Sequence, residues 1–264
     1  MLYLVATPIG NLADITYRAV RVLGECDLIL CEDTRTSLIL LTHYGIQKPL
    51  RSYHKFNEAK VEQKVLSYLR AGKNMALLSD AGTPGIADPG QRLMALCRKE
   101  RIAVSILPGA CAALAALSLS GYQSDRFQFV GFLPKKISEK KLALVEMAHY
   151  SGTSICFEAP QRLVETLSLL PKGQLCAVAR ELTKIYEECL EGTAEELGRH
   201  FTAHPPRGEL VLLVQGVVPE CSLSPLEHVR LLQEEYGLPE REAIKVAAQV
   251  RGVPKREIYN LNIK

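Results

Sequence analysis

The chain has 264 residues, 47% of them hydrophobic, and a formal net charge of +3 from 32 basic and 29 acidic groups. That length and apolar content exclude a disordered chain and allow two compact domains with a short appendage. So even a charge balance excludes a globally basic nucleic-acid binder but leaves room for local basic patches.

The amino terminus enters a strand pattern at once and has no basic leader region, so no signal peptide is expected. Five apolar runs follow in chain order. Each ends in Gly, Pro, Asn or charged residues where a helical pattern begins. Leu2–Ala6 runs into Thr7-Pro8-Ile9-Gly10-Asn11, Leu28–Cys31 into Glu32-Asp33-Thr34-Arg35, and Leu50–Tyr53 into His54-Lys55-Phe56-Asn57-Glu58. Met75–Leu78 leads to Ser79-Asp80-Ala81-Gly82-Thr83-Pro84-Gly85, and Val104–Leu107 to Pro108-Gly109-Ala110-Cys111. The alternation to about residue 120 predicts a βαβ architecture, in which a ligand sits beyond the carboxyl ends of the strands. Five polar clusters at five strand ends therefore describe one site drawn from distant segments.

Within this half, Asp88 and Pro89 predict a helix with Asp88 as its N-cap and Pro89 at its first position. Ala110–Leu119 predicts a small, apolar helix packed on two sides, against the sheet and against a second body. The apolar stretch Ala110–Ser120 is well short of the roughly 20 residues needed to span a bilayer. A cytoplasmic protein without membrane contact is expected.

After a break at Gly121–Arg126, Phe127–Leu133 reads as a strand, Lys135-Lys136 as a basic loop, and Ser138 as the start of a helix. Strand Ser154–Glu158, a helix from Gln161, strands Ala177–Arg180 and Glu187–Gly192, helix Ala194–His204 and strand Gly208–Gly216 follow. Their short links predict a mixed, more antiparallel sheet. Pro219–Pro225 reads as a linker, and the tail from Leu226 as helical, with a turn at Gly252-Val253-Pro254. Ala248, Gly252 and Ile258 have helix-turn-helix spacing, which a plain helical hairpin also produces. The eight cysteines include no CxxC pair, and Cys31, Cys97, Cys156 and Cys176 lie in apolar runs. They read as small buried hydrophobes in a reducing compartment, and no His/Cys spacing fits a zinc site.

Segment 79–90, with three glycines and two prolines, forms a tight-turning loop that a ligand can approach through its backbone. It is neither a GxGxxG fingerprint nor a Walker loop. For Glu32–Arg35 two readings stand: capping by Asp33 with exposed neighbours, or a catalytic cluster in which Glu32 follows a buried strand. His54, Asn57 and Glu58 offer an imidazole, an amide and a carboxylate in one loop. Glu158, Arg162, Arg180 and Glu181 are either an ion network or part of a site. Lys135, Lys136, Lys140 and Lys141 are a solvated face or, beside RNA, phosphate contacts.

The segments Leu4–Leu12, Glu32–Arg35, Ser79–Pro84 and Ala179–Lys184 resemble the tetrapyrrole methylase superfamily, in its branch that modifies small-subunit ribosomal RNA. Asp125-Arg126-Phe127, Gly131–Pro134 and Gly208–Val211 extend the resemblance over nearly the whole chain. It implies two α/β domains, 1–120 and 121–218, with a cofactor cleft between them and a helical RNA-binding tail at 226–264. It also implies S-adenosylmethionine-dependent methylation of the ribose 2′-hydroxyl of a cytidine in the decoding region, by a homodimer. The substrate would be the RNA or the assembled small subunit. Other readings are methylation of a tetrapyrrole or a protein, or a non-catalytic nucleotide-binding module.

Carried over by motif, Pro8, Gly10, Asp80, Gly82, Thr83, Pro84, Ile86, Cys111, Ala112, Phe157, Glu209 and Leu210 would line the cofactor. Glu32 and His54 are the candidate bases, with Asp33, Arg35, Asn57 and Glu58 as orienting or phosphate-binding partners. Glu158, Arg162, Arg180 and Lys184 would close the site from the second domain. Lys135, Lys136, Lys245, Arg251, Lys255 and Arg256 would contact RNA. No metal is implied. This chain has Ala6, Phe56 and Gln161 where the family frequently has Pro, His and His.

Overall fold

In the computed structural model, residues 1–216 and 223–262 are described. The chain divides into two compact units, Met1–Ala115 with Leu182–Ile185, and Ala116–Glu181 with Tyr186–Lys264. The expected linker at Pro219–Pro225 lies outside the described residues at positions 219–222.

The first unit contains strands β1 (Leu2–Val5), β2 (Leu28–Cys31), β3 (Leu50–Ser52), β4 (Met75–Leu78) and β5 (Val104–Leu107). They form one parallel sheet in the order β3-β2-β4-β1-β5. Parallel strands covered on both faces read as continuous apolar runs, as these do. Alternate side chains then divide between the faces. Leu2, Leu4, Leu30, Met75 and Leu77 join Val65, Leu66 and Leu69 of α3 (Glu58–Arg70) and Leu93 and Cys97 of α4 (Gln91–Lys99). Val5, Ile29, Cys31, Ala76 and Leu78 join Ala19, Val22 and Leu23 of α1 (Tyr17–Glu25) and Leu41 of α2 (Thr34–His43).

The helix expected from Asp88 begins later, at Gln91, behind Gly90 at φ 128°. The preceding turn needs left-handed backbone at Gly85 and Ala87 as well. A Cβ on Gly90 would lie 2.8 Å from Leu77 Cδ2, so this glycine also closes the loop onto the sheet. The small apolar helix, α5, runs from Ala112 to Ser120.

The second unit has strands β6 (Phe127–Phe132), β7 (Thr153–Glu158), β8 (Leu175–Arg180), β9 (Glu188–Thr193) and β10 (Leu210–Gln215). The order is β6-β7-β10-β8-β9, parallel only between β6 and β7, which is the expected mixed sheet. Helices α6 (Ile137–Ala148), α7 (Pro160–Ser168) and α8 (Ala194–Ala203) cover one face through Leu144, Met147, Leu163, Leu167, Leu197 and Phe201. Thr193 and Glu196 close a capping box at the start of α8.

The tail forms α9 (Pro225–Tyr236), α10 (Glu240–Arg251) and α11 (Lys255–Asn262). Their core includes Val229, Leu232, Ala243, Ala247 and Ile258, together with Val145 on α6. So α6 faces the sheet on one side and the tail on the other. Gly252 ends α10 in the left-handed region at φ 66°, as expected of a residue at that turn. No helix among the described residues is long and apolar enough to cross a membrane.

Candidate active site

Three of the strand-end loops in the first unit are stitched together. Thr7 and Gly82 exchange both backbone hydrogen bonds, Thr7 N to Gly82 O at 2.9 Å and Gly82 N to Thr7 O at 3.1 Å. Ser79 Oγ also donates to Gly82 O at 2.8 Å. Thr83 Oγ1 donates to Ala110 O at 3.2 Å, which joins the β4 loop to the one after β5. A Cβ on Gly109 would stand 2.9 Å from Ala6 Cβ, so the loops after β1 and β5 approach as closely as glycine permits. Gly82 is at φ 80°, a conformation that favours glycine. Pro8 and Pro84 are buried, Asp80 and Ile86 exposed, and Cys111 and Ala112 half-buried. These expected cofactor residues thus share one end of the first sheet, with Gly10 on the β1 loop.

Beside them lies an open basin of about 460 Å³, lined by Glu32, Asp33, Thr34, Arg35, Ser52, His54, Phe56 and Asp80. Asp80 belongs to both groups. It sits on the β4 loop, and its Oδ1 accepts the Asp33 amide at 3.0 Å. Asp33 is the N-cap of α2, accepting Arg35 N at 2.8 Å, and its other oxygen meets Arg35 Nη2 at 2.6 Å. The Arg35 guanidinium, then its amide, hold the Asp33 carboxyl down at about 2. The capping reading therefore describes Asp33 and does not account for Glu32. The Glu32 carboxyl titrates above the ordinary carboxylate range because of burial first and Asp80 second, opposed by His54.

The β3–α3 loop is held by Asn57. Its Oδ1 accepts His54 N at 2.8 Å and its Nδ2 donates to Ser52 O at 3.1 Å. Phe56 N donates to His54 Nδ1 at 3.2 Å, and the Phe56 ring is 91% exposed at the rim. Glu58 opens α3 next to this loop. Sequence reasoning missed Thr34 and Ser52 in the lining and the Asp80–Asp33 link. The Asn three residues after His54, an Asx-type turn signal, was the one available clue to the loop's shape.

Elsewhere the expected residues have other partners. Glu158 is buried, accepting Ala159 N at 2.8 Å and Thr166 Oγ1 at 2.7 Å, with Arg162 Nε at 3.3 Å. Arg162 donates to Pro134 O at 2.5 Å, and Arg180 pairs with Glu188 across β8 and β9. Phe157 packs against Phe129 and Phe132, with ring centroids 5.0 and 5.3 Å away. Glu209 is exposed and Leu210 opens β10 as a buried residue. Lys184, expected from the second domain, lies in the segment that belongs to the first unit, where Leu182–Lys184 crowd Gly10.

Among the basic residues, Lys135, Lys136, Lys255 and Arg256 are exposed. Three others have partners within the second unit. Lys140, expected on a solvated face, is fully buried and bonded to Glu165 at 2.5 Å. Lys245 pairs with Glu146 at 2.7 Å. Arg251 Nη2 donates to Leu223 O at 2.5 Å while its Nε donates to His228 Nδ1 at 3.3 Å.

The family model of Tetrapyrrole (Corrin/Porphyrin) Methylases matches residues 1–198. The chain is 45% identical to a protein named ribosomal RNA small subunit methyltransferase I from Halalkalibacterium halodurans, over 98% of this chain and 93% of that one. A protein of the same name from Synechocystis is 43% identical, over 100% and 98% of the two chains. Among solved structures, a cobalt precorrin-4 methyltransferase superposes with a TM-score of 0.62 at 17% identity, covering 81% of this chain and 94% of the other. A Thermus thermophilus uroporphyrin-III C-methyltransferase complexed with S-adenosylhomocysteine gives 0.57 at 18% identity, covering 82% and 97%.

Proposed function

The chain belongs to the tetrapyrrole methylases, in the branch of ribosomal RNA small subunit methyltransferase I, and on that premise we propose that it methylates the ribose 2′-hydroxyl of a cytidine in the decoding region of small-subunit ribosomal RNA. It is an S-adenosylmethionine-dependent methyltransferase. Bound S-adenosylmethionine supplies an electrophilic methyl group on a sulfonium.

The loops after β1, β4 and β5 suit that molecule. Asp80 offers a carboxylate to its positive charge, exposed Ile86 offers an apolar wall to its adenine, and half-buried Ala112 adds little bulk beside them. Thr83, Pro84, Pro8, Gly10 and Cys111 would complete the holding set in the first unit, and Phe157, Glu209 and Leu210 are its proposed members in the second. Methyl transfer is an in-line displacement, so holding the hydroxyl and the methyl in register can account for roughly 7–11 kcal/mol of the barrier. A base that takes the hydroxyl proton adds on the order of 10²–10⁴-fold.

One observation carries the reading: Asp80, on the glycine-rich loop, is hydrogen-bonded to the backbone of the Glu32-Asp33 loop, so the proposed donor-binding and proton-accepting groups share one strand-end cluster. RNA is reached through its sugar and phosphates, for which exposed Lys135, Lys136, Lys255 and Arg256 supply cations. We place the protein in the bacterial cytoplasm as a homodimer. Support for a second copy comes from Leu114 and Leu119 on α5, which are 49% and 47% exposed.

Mass mapping of ribosomal RNA from cells with and without the protein is the test. Loss of one 2′-O-methylated cytidine in the decoding region is expected, with labelled methyl restored by purified protein on naked RNA or on small subunits. Unchanged RNA, or transfer to a tetrapyrrole instead, would overturn the reading.

A further inference from the structure

We propose that Glu32 alone takes the proton from the attacking hydroxyl, and that His54 serves as a hydrogen-bond donor through Nε2, a division of roles fixed by the backbone amide of Phe56. The inference rests on the methyl-transfer reading above and assigns the roles within its site.

A peptide N–H can only donate. Because Phe56 N reaches His54 Nδ1 at 3.2 Å, that ring nitrogen must present its lone pair. A neutral imidazole has one protonated nitrogen and one lone pair. The proton therefore sits on Nε2, and the single lone pair, the ring's only basic position, is already occupied. The loop that carries the ring is pinned in the same arrangement. The Asn57 and Glu58 amides both donate to His54 O at 2.9 Å, while Asn57 Oδ1 accepts His54 N at 2.8 Å. What His54 can offer the basin is Nε2–H.

The carboxylates divide as clearly. Asp33 is bonded to Arg35 through both oxygens, and Asp80 accepts the Asp33 amide. The Glu32 carboxylate makes no hydrogen bond or ion pair among the described residues, while its own backbone carbonyl accepts Ser52 Oγ at 3.4 Å. In the step, the ribose O–H bond breaks and its proton passes to a Glu32 oxygen. The hydroxyl oxygen bonds the methyl carbon as the carbon–sulfur bond breaks, and that electron pair stays on sulfur. No acid is needed at the leaving group, so His54 has a donor's task, orienting the ribose or Glu32.

The test compares Glu32→Gln, His54→Gln and His54→Ala in the full-length protein, each checked by thermal melt and donor binding. The glutamine at 54 keeps an N–H donor near the Nε2 position and has no basic site. It should retain at least about a tenth of wild-type turnover and exceed His54→Ala, whereas Glu32→Gln should lose about 10²–10⁴-fold. Nitrogen-15 spectra of the wild-type side chain should show the proton on Nε2. A His54→Gln loss as deep as that of Glu32→Gln, with folding and donor binding intact, would overturn the assignment, as would a proton on Nδ1. Should wild-type protein fail to methylate ribosomal RNA, the functional reading fails, and the spectra still decide the tautomer.

Discussion

A proton acceptor at a strand end is useful only if its neighbours set the pH at which it is empty. Glu32 is pushed up by burial and by Asp80, with His54 acting the other way, so it becomes a carboxylate only above the ordinary range. Transfer should therefore fall as pH drops through that raised value. Asp80→Asn removes the second cause while keeping an oxygen to accept the Asp33 amide. In single turnovers at saturating donor, its acid limb should lie at lower pH than wild type, and a limb that stays put would remove Asp80 from the electrostatics of Glu32. Some of this was readable from residue order alone. Asp33 stands two residues before Arg35, at a helix start, and capping follows from that adjacency. The Asp80–Asp33 bond joins positions 47 apart, and its partner is a backbone N–H, so no pattern of side chains announces it. The tautomer of His54 was hidden for the same reason.

Among the elements, α6 shows where charge counting misleads. Lys135-Lys136 and Lys140-Lys141 look alike in sequence, yet Lys140 shares a helical face with Leu144 and Met147 and follows them inward. Its ammonium is neutralised by Glu165. On its other side α6 meets the tail, where His149, at its end, lies 5.7 Å from the ring of His228 on α9. His228 is buried, and burial, then His149 and Arg251, hold its pKa down at about 4 against an ordinary 6.5. The unfolded chain thus takes up this proton first. Stability is fully present above pH 6.5 and declines toward pH 4, with a slope approaching about 1.4 kcal/mol per pH unit between those limits. His228→Leu should flatten that slope, measurable as melting temperatures at pH 7.5 and 5.0; an unaltered slope would assign the acid sensitivity to other groups. The same packing makes deletion of the tail a poor probe of RNA binding, since it would strip Val145 of its cover. Exposed Lys255 and Arg256 are better targets. Reversing both to Glu should weaken RNA binding and flatten its dependence on salt, with donor affinity unchanged. Equal affinity at low salt would take α11 out of the interface.

At the level of the molecule, the strands of both sheets were legible because continuous apolar runs and turn residues mark them directly. The order in which they pair was less so, since β10 inserts between β7 and β8. Least visible was the return of Leu182–Ile185 to the first unit, four residues whose neighbours on both sides belong to the second. Charge after a strand made this stretch look like part of the later domain. There Glu181 and Thr183 adopt positive φ, at 51° and 66°, and a Cβ on Gly10 would lie 2.7 Å from the Leu182 carbonyl oxygen. Synthesis runs in one direction, so this arrangement imposes a schedule. Between Ala115 and Leu182 lie 66 residues, and at about 5–20 residues per second the ribosome needs roughly 3–13 s to deliver the missing piece. Throughout that interval the nascent first unit waits with its Gly10 loop uncovered, and no fragment ending near residue 115 ever completes it.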